Sequence, residues 1–294
     1  MKRRSFLHAV GQAVGSAAMV GASSAEAQQA TEAPETTSTA GVPRRVLGRT
    51  GREVSVVGFP GLALIHHDQE ESTAGLHRAF ERGINYFDVA PAYGNGECEI
   101  KMGIGLQGIN RDDYFLACKT RMRDKDGARE ELDRSLESLK TDHFDLYQLH
   151  CLKRPEEITE ALGPGGAMET ILKAKEKGKV RAIGFSAHTT VAALTALRNF
   201  RFDTAMFPIS FVEYFTIAFG KPVLKLAAEQ GVAVLAMKAM CRGRWPEGME
   251  RTRKWWYRAV EEKDEVDLAW RFVLSQQPVA AGIPPSFLDL LDKA

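Results

Sequence analysis

The 294-residue chain lacks the features that define several large protein classes. Its four cysteines, Cys98, Cys118, Cys151 and Cys241, show neither C-x-x-C spacing nor metal-ligand clustering. That argues against a disulfide-stapled scaffold and against a metal module, and leaves them as small core residues. Charge of one sign is also missing: 39 Lys plus Arg face 38 Asp plus Glu. Neither nucleic acid nor an anionic membrane is therefore an expected partner. With 44% hydrophobic and 26% charged residues the composition is globular and excludes a largely disordered chain. No polar Gly/Ser-rich linker interrupts it after residue 45, so one domain is expected.

The N-terminus reads differently. "MKRRSFLHAVGQAVGSAAMVGASSAEA" has a basic start, an apolar stretch of small residues and an A-x-A ending at Ala25–Ala27. This is the pattern of a secretory signal over residues 1–27, too short and glycine-rich to span a membrane. Arg3-Arg4 followed by Ser-Phe-Leu resembles the twin-arginine export signal. That implies handling by the twin-arginine machinery, passage in a folded state, and a periplasmic or secreted product. Cleavage after Ala27 leaves 267 residues (294 − 27). The polar, aperiodic residues 28–43 then read as a disordered tether, and 44–294 as the folded domain.

From residue 53 short apolar runs alternate with helix-patterned segments. The runs are "EVSVVGF", "INYFDVA", "DYFLACK", "FDLYQLH", "VRAIGFS", "TAMFPIS", "VAVLAMK" and "PVAAGI". Near-continuous hydrophobicity suits strands buried on both faces. Between them, Thr73 is a candidate cap for a helix burying Leu76, Ala79 and Phe80, which Gly83 stops. Asp126 is a candidate cap for a helix burying Leu132, Leu136 and Leu139. Met168, Ile171 and Leu172, then Val191, Leu194 and Leu197, mark two more inner faces. Eight strand–helix alternations predict a (β/α)8 TIM barrel, with an open doubly wound sheet as the alternative. "RRVLGRTG" predicts a short hairpin across the barrel bottom.

The strand ends carry the chemistry. Asp88, Lys119, His150, Ser186, Ser210 and Lys238 close successive runs, and in such a barrel all reach the C-terminal rim, where active sites lie. A buried acid needs a partner, so Asp88 is expected to pair with Lys119, placing the ammonium under the phenol of Tyr93. A free phenol has a pKa near ~10, and a neighbouring ammonium favours phenolate and is expected to lower that value. His150 can hydrogen-bond a carbonyl oxygen. A phenol that protonates an alkoxide suits carbonyl reduction with hydride from a cofactor.

"LGRTGREVSVVGF", "GINYFDVAPAYGNGECE", "FLACKT", "YQLH" and "VRAIGFSAH" together resemble the aldo-keto reductases over residues 44–285. The resemblance implies a (β/α)8 barrel that binds NADP, with NAD an alternative, and interconverts a carbonyl and an alcohol. The family tetrad of Asp, Tyr, Lys and His falls on Asp88, Tyr93, Lys119 and His150. The family's nicotinamide contacts fall on Ser186, but Ala187, Met206 and Met237 stand where Asn, Gln and Tyr are usual. Ser210, Lys238, Arg242 and Arg244 are the remaining cofactor-side candidates, with Lys293 near the end of the chain. Phe211, Tyr214, Phe215, Trp245 and Trp255–Trp256–Tyr257 are candidates for an apolar substrate wall. The expected partner is a small carbonyl or alcohol, with no metal. The competing reading is a nucleotide-binding barrel of weak activity that serves as a redox sensor or interaction module.

Overall fold

The computed structural model describes the backbone of Thr36–Thr37 and residues 41–294. Eight parallel strands form one sheet: β1 (Phe59–Pro60), β2 (Tyr86–Asp88), β3 (Phe115–Thr120), β4 (Phe144–Leu152), β5 (Val180–Ala187), β6 (Thr204–Pro208), β7 (Ala233–Met237) and β8 (Val279–Ile283). Each hydrogen-bonds its sequence neighbour, and β8 pairs with β7. The seam between first and last strands is held by Gly58 N–H donating to Gly282 O at 2.9 Å and Gly282 N–H donating to Val56 O at 2.9 Å. The sheet thus curls into a nearly closed barrel rather than an open sheet.

The first apolar run is divided between two jobs. Glu53–Ser55 pairs antiparallel with Arg44–Val46, and only the following residues enter the barrel. A hairpin was expected from residues 44–51 alone, but its second strand is Glu53–Ser55 of the first run. Leu47 at its bend is fully buried among Val54, Tyr86, Phe115 and Ala233. The segment read as a tether is tied at its end: Thr36–Thr37 pair with Arg45 and Arg44, and Val42 N–H donates to Arg82 O. The expected signal peptide lies outside the described residues.

Helices α1 (Gln69–Glu81), α2 (Glu97–Gly105), α3 (Lys125–Ser138), α4 (Pro155–Leu162), α5 (Ala167–Glu176), α6 (Thr190–Asn199), α7 (Phe211–Ile217), α8 (Lys221–Glu229), α9 (Lys263–Ser275) and α10 (Leu288–Lys293) complete the alternation. Two caps differ from the sequence expectation. Asp68, not Thr73, caps α1, because Glu71 three residues on closes a capping box with it. Asp124, not Asp126, caps α3 by accepting from Gly127 N. Leu172 and Val191, expected on inner faces, are exposed at 40% and 54%. In α6 the inner face is carried by Ala192, Ala193, Ala196 and Leu197. Gly83, with φ of 98°, ends α1 as expected, its N–H donating to Phe80 O.

Among the described residues all four cysteines are unpaired, Cys151 being half-buried rather than core. No described helix is long and apolar enough to cross a membrane.

Candidate active site

Strand alternation delivers three of the four tetrad residues to one place. Asp88 ends β2, Lys119 is the penultimate residue of β3, and His150 lies near the end of β4. Tyr93 comes from the loop after β2, aimed by a tight turn in which Gly94, Asn95 and Gly96 all have positive φ. Only glycine and, at some cost, asparagine accept such a run, which explains the Gly-Asn-Gly sequence.

The Lys119 ammonium is fully buried and all three of its hydrogens have acceptors. These are Asp88 Oδ2 at 2.5 Å, Val89 O at 3.1 Å and the Tyr93 hydroxyl at 3.2 Å. The nitrogen also stands 4.9 Å from the Tyr93 ring centroid. The second Asp88 oxygen accepts from the Tyr86 hydroxyl at 3.3 Å, a bond that the alternation of β2 could have revealed. The His150 ring lies edge-on to Tyr93, with centroids 5.7 Å apart and planes at 84°.

Burial disfavours the Lys119 charge, but Asp88 and Tyr93 outweigh it and raise the ammonium above the ordinary lysine value. Burial pushes the Asp88 carboxyl up, while Lys119 opposes that shift. For Tyr93 the structure corrects the expectation of a lowered phenol. Burial is the largest effect and pushes its value above 10.0, Lys119 pulling it down only in part. Tyr93 therefore holds its proton at neutral pH. His150 is driven well below 6.5 by burial, then by Lys119, Arg121, His188 and Arg123, and so is a neutral imidazole. Its Nδ1 has no partner among the described residues.

The remaining candidates scatter. Ser186 is 1% exposed at the end of β5, and its Oγ accepts from Cys151 N at 2.7 Å. Ala187 and Met206 are buried and offer no polar side-chain atom. Ser210 caps α7, accepting weakly from Glu213 N at 3.4 Å. Lys238 follows β7 with φ of 62°. Arg242 and Arg244 are both exposed, Arg242 paired with Glu265 at 2.8 Å and Arg244 without an ion pair among the described residues. Lys293 donates to Glu261 O. Phe211 and Tyr214 pack on the core, Tyr214 edge-on to Phe272 of α9. Trp245 Nε1 donates to Trp255 O at 2.9 Å, and Phe215 and Trp256 are exposed.

Two rim residues escaped the sequence reading. His188 lies just past Ser186, and Arg121 two residues past Lys119. Arg121 lies just beyond the end of β3, where the strand-end reading that placed Lys119 stops. Arg123 donates to His150 O at 2.7 Å and pairs with Glu157.

The sequence profile of the Aldo/keto reductase family matches residues 62–284. The chain is 33% identical over 157 residues to the L-galactose dehydrogenase of Arabidopsis thaliana, covering 48% of this chain and 47% of that one. It spans about half the length of the curated relatives it matches. The holo form of aldo-keto reductase AKR11C1 from Bacillus halodurans superposes with a TM-score of 0.67 at 26% identity, over 85% of this chain and 88% of that one. A Klebsiella pneumoniae aldo/keto reductase solved in complex with NADP and acetate shares the fold at 19% identity, with a TM-score of 0.65 over 84% and 87% of the chains. With the profile covering well over half of its length, this chain belongs to the aldo/keto reductase family.

Proposed function

We propose that the protein is an NADP-dependent oxidoreductase that reduces the carbonyl of an aldehyde, ketone or sugar to the alcohol, or runs the reverse. The observation that carries this reading is the buried Lys119 ammonium bridging the Asp88 carboxylate and the Tyr93 hydroxyl. A phenol that keeps its proton at neutral pH is a general acid. As the carbonyl oxygen gains charge, Tyr93 transfers its proton to it, and Lys119 stabilises the phenolate left behind. Asp88 keeps Lys119 charged and in place. Neutral His150 donates its single N–H toward the same oxygen and orients the carbonyl.

Reduced nicotinamide, when bound, supplies the hydride for this chemistry. The residues present fit such a cofactor. Ser186 accepts from Cys151 N yet keeps its own O–H to donate to a carboxamide. Lys238 and Arg244, without an ion pair among the described residues, suit the phosphates. Ala187 and Met206 reduce the carboxamide grip to Ser186 alone. NADP is favoured by the family and by its presence in the Klebsiella pneumoniae relative in fold. The Arg3-Arg4 signal supports export of the folded protein, with nucleotide loaded beforehand.

The test is oxidation of NADPH or NADH by the full-length protein in the presence of p-nitrobenzaldehyde, simple ketones and aldoses. Nucleotide-dependent alcohol formation is the expected result. Tight nucleotide binding with no turnover on any of them would favour the sensor or interaction module instead.

A further inference from the structure

The rim beyond β3, β4 and β5 carries cations that the tetrad does not use. Arg121 follows β3, and its Nη2 lies 4.0 Å from Cys151 Sγ, the side chain next to His150. Lys153 follows β4 and His188 follows β5. They are fixed side by side, because His188 N–H donates to Leu152 O at 2.9 Å and the Thr189 hydroxyl donates to Lys153 O at 2.7 Å. Cys151 N–H in turn donates to Ser186 Oγ, so these loop ends form one braced surface around His150.

Several cations elsewhere in the barrel are matched by carboxylates, though about as many among the described residues are not. Arg123 pairs with Glu157, Arg242 with Glu265, Arg49 with Asp203, and Arg111 and Arg181 share Asp145. Arg121 and Lys153 have no ion pair among the described residues. The charges that act on His150 and His188 are also all of one sign. Burial, then Lys238, Lys153 and Arg121, hold His188 at about 4. His188 is thus a neutral imidazole between uncompensated cations. A surface that gathers like charges beside a cleft and leaves them unmatched concentrates anions there.

We propose that this rim binds an anionic group, a carboxylate or a phosphate, on the carbonyl substrate itself, with Arg121 as the main contact and Lys153 beside it. The proposal rests on the reductase reading and names the substrate class of that same site. The planar guanidinium of Arg121 suits two-point binding of such oxygens, and Lys153 adds a mobile point charge. The reactive carbonyl would sit at Tyr93 and His150, with the acid group on the β3–β4 side. The other source of anionic oxygens is the nucleotide. Its proposed cations, Lys238 and Arg244, follow β7, which β5 and β6 separate from β4 in the sheet order, although Lys238 also reaches His188.

The experiment compares p-carboxybenzaldehyde with its methyl ester as substrates of the full-length protein and NADPH. The acid is expected to have a kcat/KM about tenfold to a hundredfold higher, the range of one or two charge-assisted hydrogen bonds. Arg121→Met and Lys153→Met should bring that ratio down toward unity, with the NADPH dissociation constant, read by fluorescence, held. Equal use of acid and ester by the unaltered protein would overturn the proposal. So would variants that lose NADPH affinity and keep the acid preference, since the cations would then serve the nucleotide. Calorimetric binding of p-(hydroxymethyl)benzoate, which needs no turnover, should depend on Arg121. If it does and neither aldehyde is reduced, the reductase reading fails while the anion site stands. If binding is absent or indifferent to Arg121, the anion site fails whatever the turnover.

Discussion

Replacing Lys119 with methionine removes the charge at the centre of the site while roughly keeping the length of the side chain. Lys119 is fully buried and the Asp88 side chain is 3% exposed. The variant therefore leaves a carboxylate in the barrel interior with, among the described residues, only the Tyr86 hydroxyl as side-chain partner. Breaking a buried ion pair from one side costs roughly 3–5 kcal/mol. That is a large part of a domain's net stability of about 5–15 kcal/mol. The cost has a definite pH dependence. Burial already pushes Asp88 upward, and without Lys119 nothing of comparable strength opposes it. The folded variant then binds a proton more tightly than the unfolded chain, whose aspartate titrates near ~3.9. Its stability rises as pH falls from neutral toward that value, and the deficit against the parent shrinks. Urea unfolding at a series of pH values measures this directly. Asp88→Asn combined with Lys119→Met should recover much of the loss, because the orphaned charge is gone. A single variant as stable as the parent, or one whose deficit does not change with pH, would refute the buried-pair argument.

Three further outcomes follow from the same geometry. Because burial raises Tyr93 above 10.0, alcohol oxidation should keep accelerating as pH rises past neutrality, and a plateau near neutral pH would show a phenol tuned downward instead. His188 sits at about 4 when folded against an ordinary 6.5, so the unfolded chain binds the proton first as pH falls. Stability should then drop by up to roughly 3 kcal/mol between those values, and His188→Gln should flatten that part of the curve measured by thermal unfolding. A Cβ at Gly184 would collide with Thr204 Oγ1 inside the barrel, so Gly184→Ala should lower stability by about 1–3 kcal/mol in the same assay.

The barrel and three of the tetrad residues were legible from apolar runs and the polar residues near their ends. Tyr93 was legible from its Gly/Pro-rich turn just after Asp88 and from the family resemblance. Continuous apolar runs identify strands buried on both faces, and the polar residue at the end of each identifies the rim. Helix starts were less legible, since Asp68 and Thr73 are both capping types. The distinction lay in Glu71, whose spacing from Asp68 completes the capping box. The division of the first run was not legible either, because Glu53–Ser55 reads like the rest of it until Arg44–Val46 pairs with it. The state of Tyr93 illustrates a different limit. The sequence shows that a lysine lies nearby, but not that the phenol is buried deeply enough for desolvation to exceed the effect of that lysine. His188 and Arg121 were visible as residues, yet their meaning depends on which cations lack carboxylates, which only the folded arrangement reveals.

In the proposed mechanism Tyr93 delivers the proton to the reduced carbonyl. The most direct test is Tyr93→Phe in the full-length protein, with turnover and nucleotide binding measured on the same preparation. The phenylalanine keeps the ring edge-on to His150 and over Lys119, and removes only the hydroxyl that accepts from the ammonium. Carbonyl reduction should fall by roughly 10²–10⁴-fold, the usual contribution of a general acid, with NADPH affinity unchanged. Near-normal reduction by the variant would contradict the account.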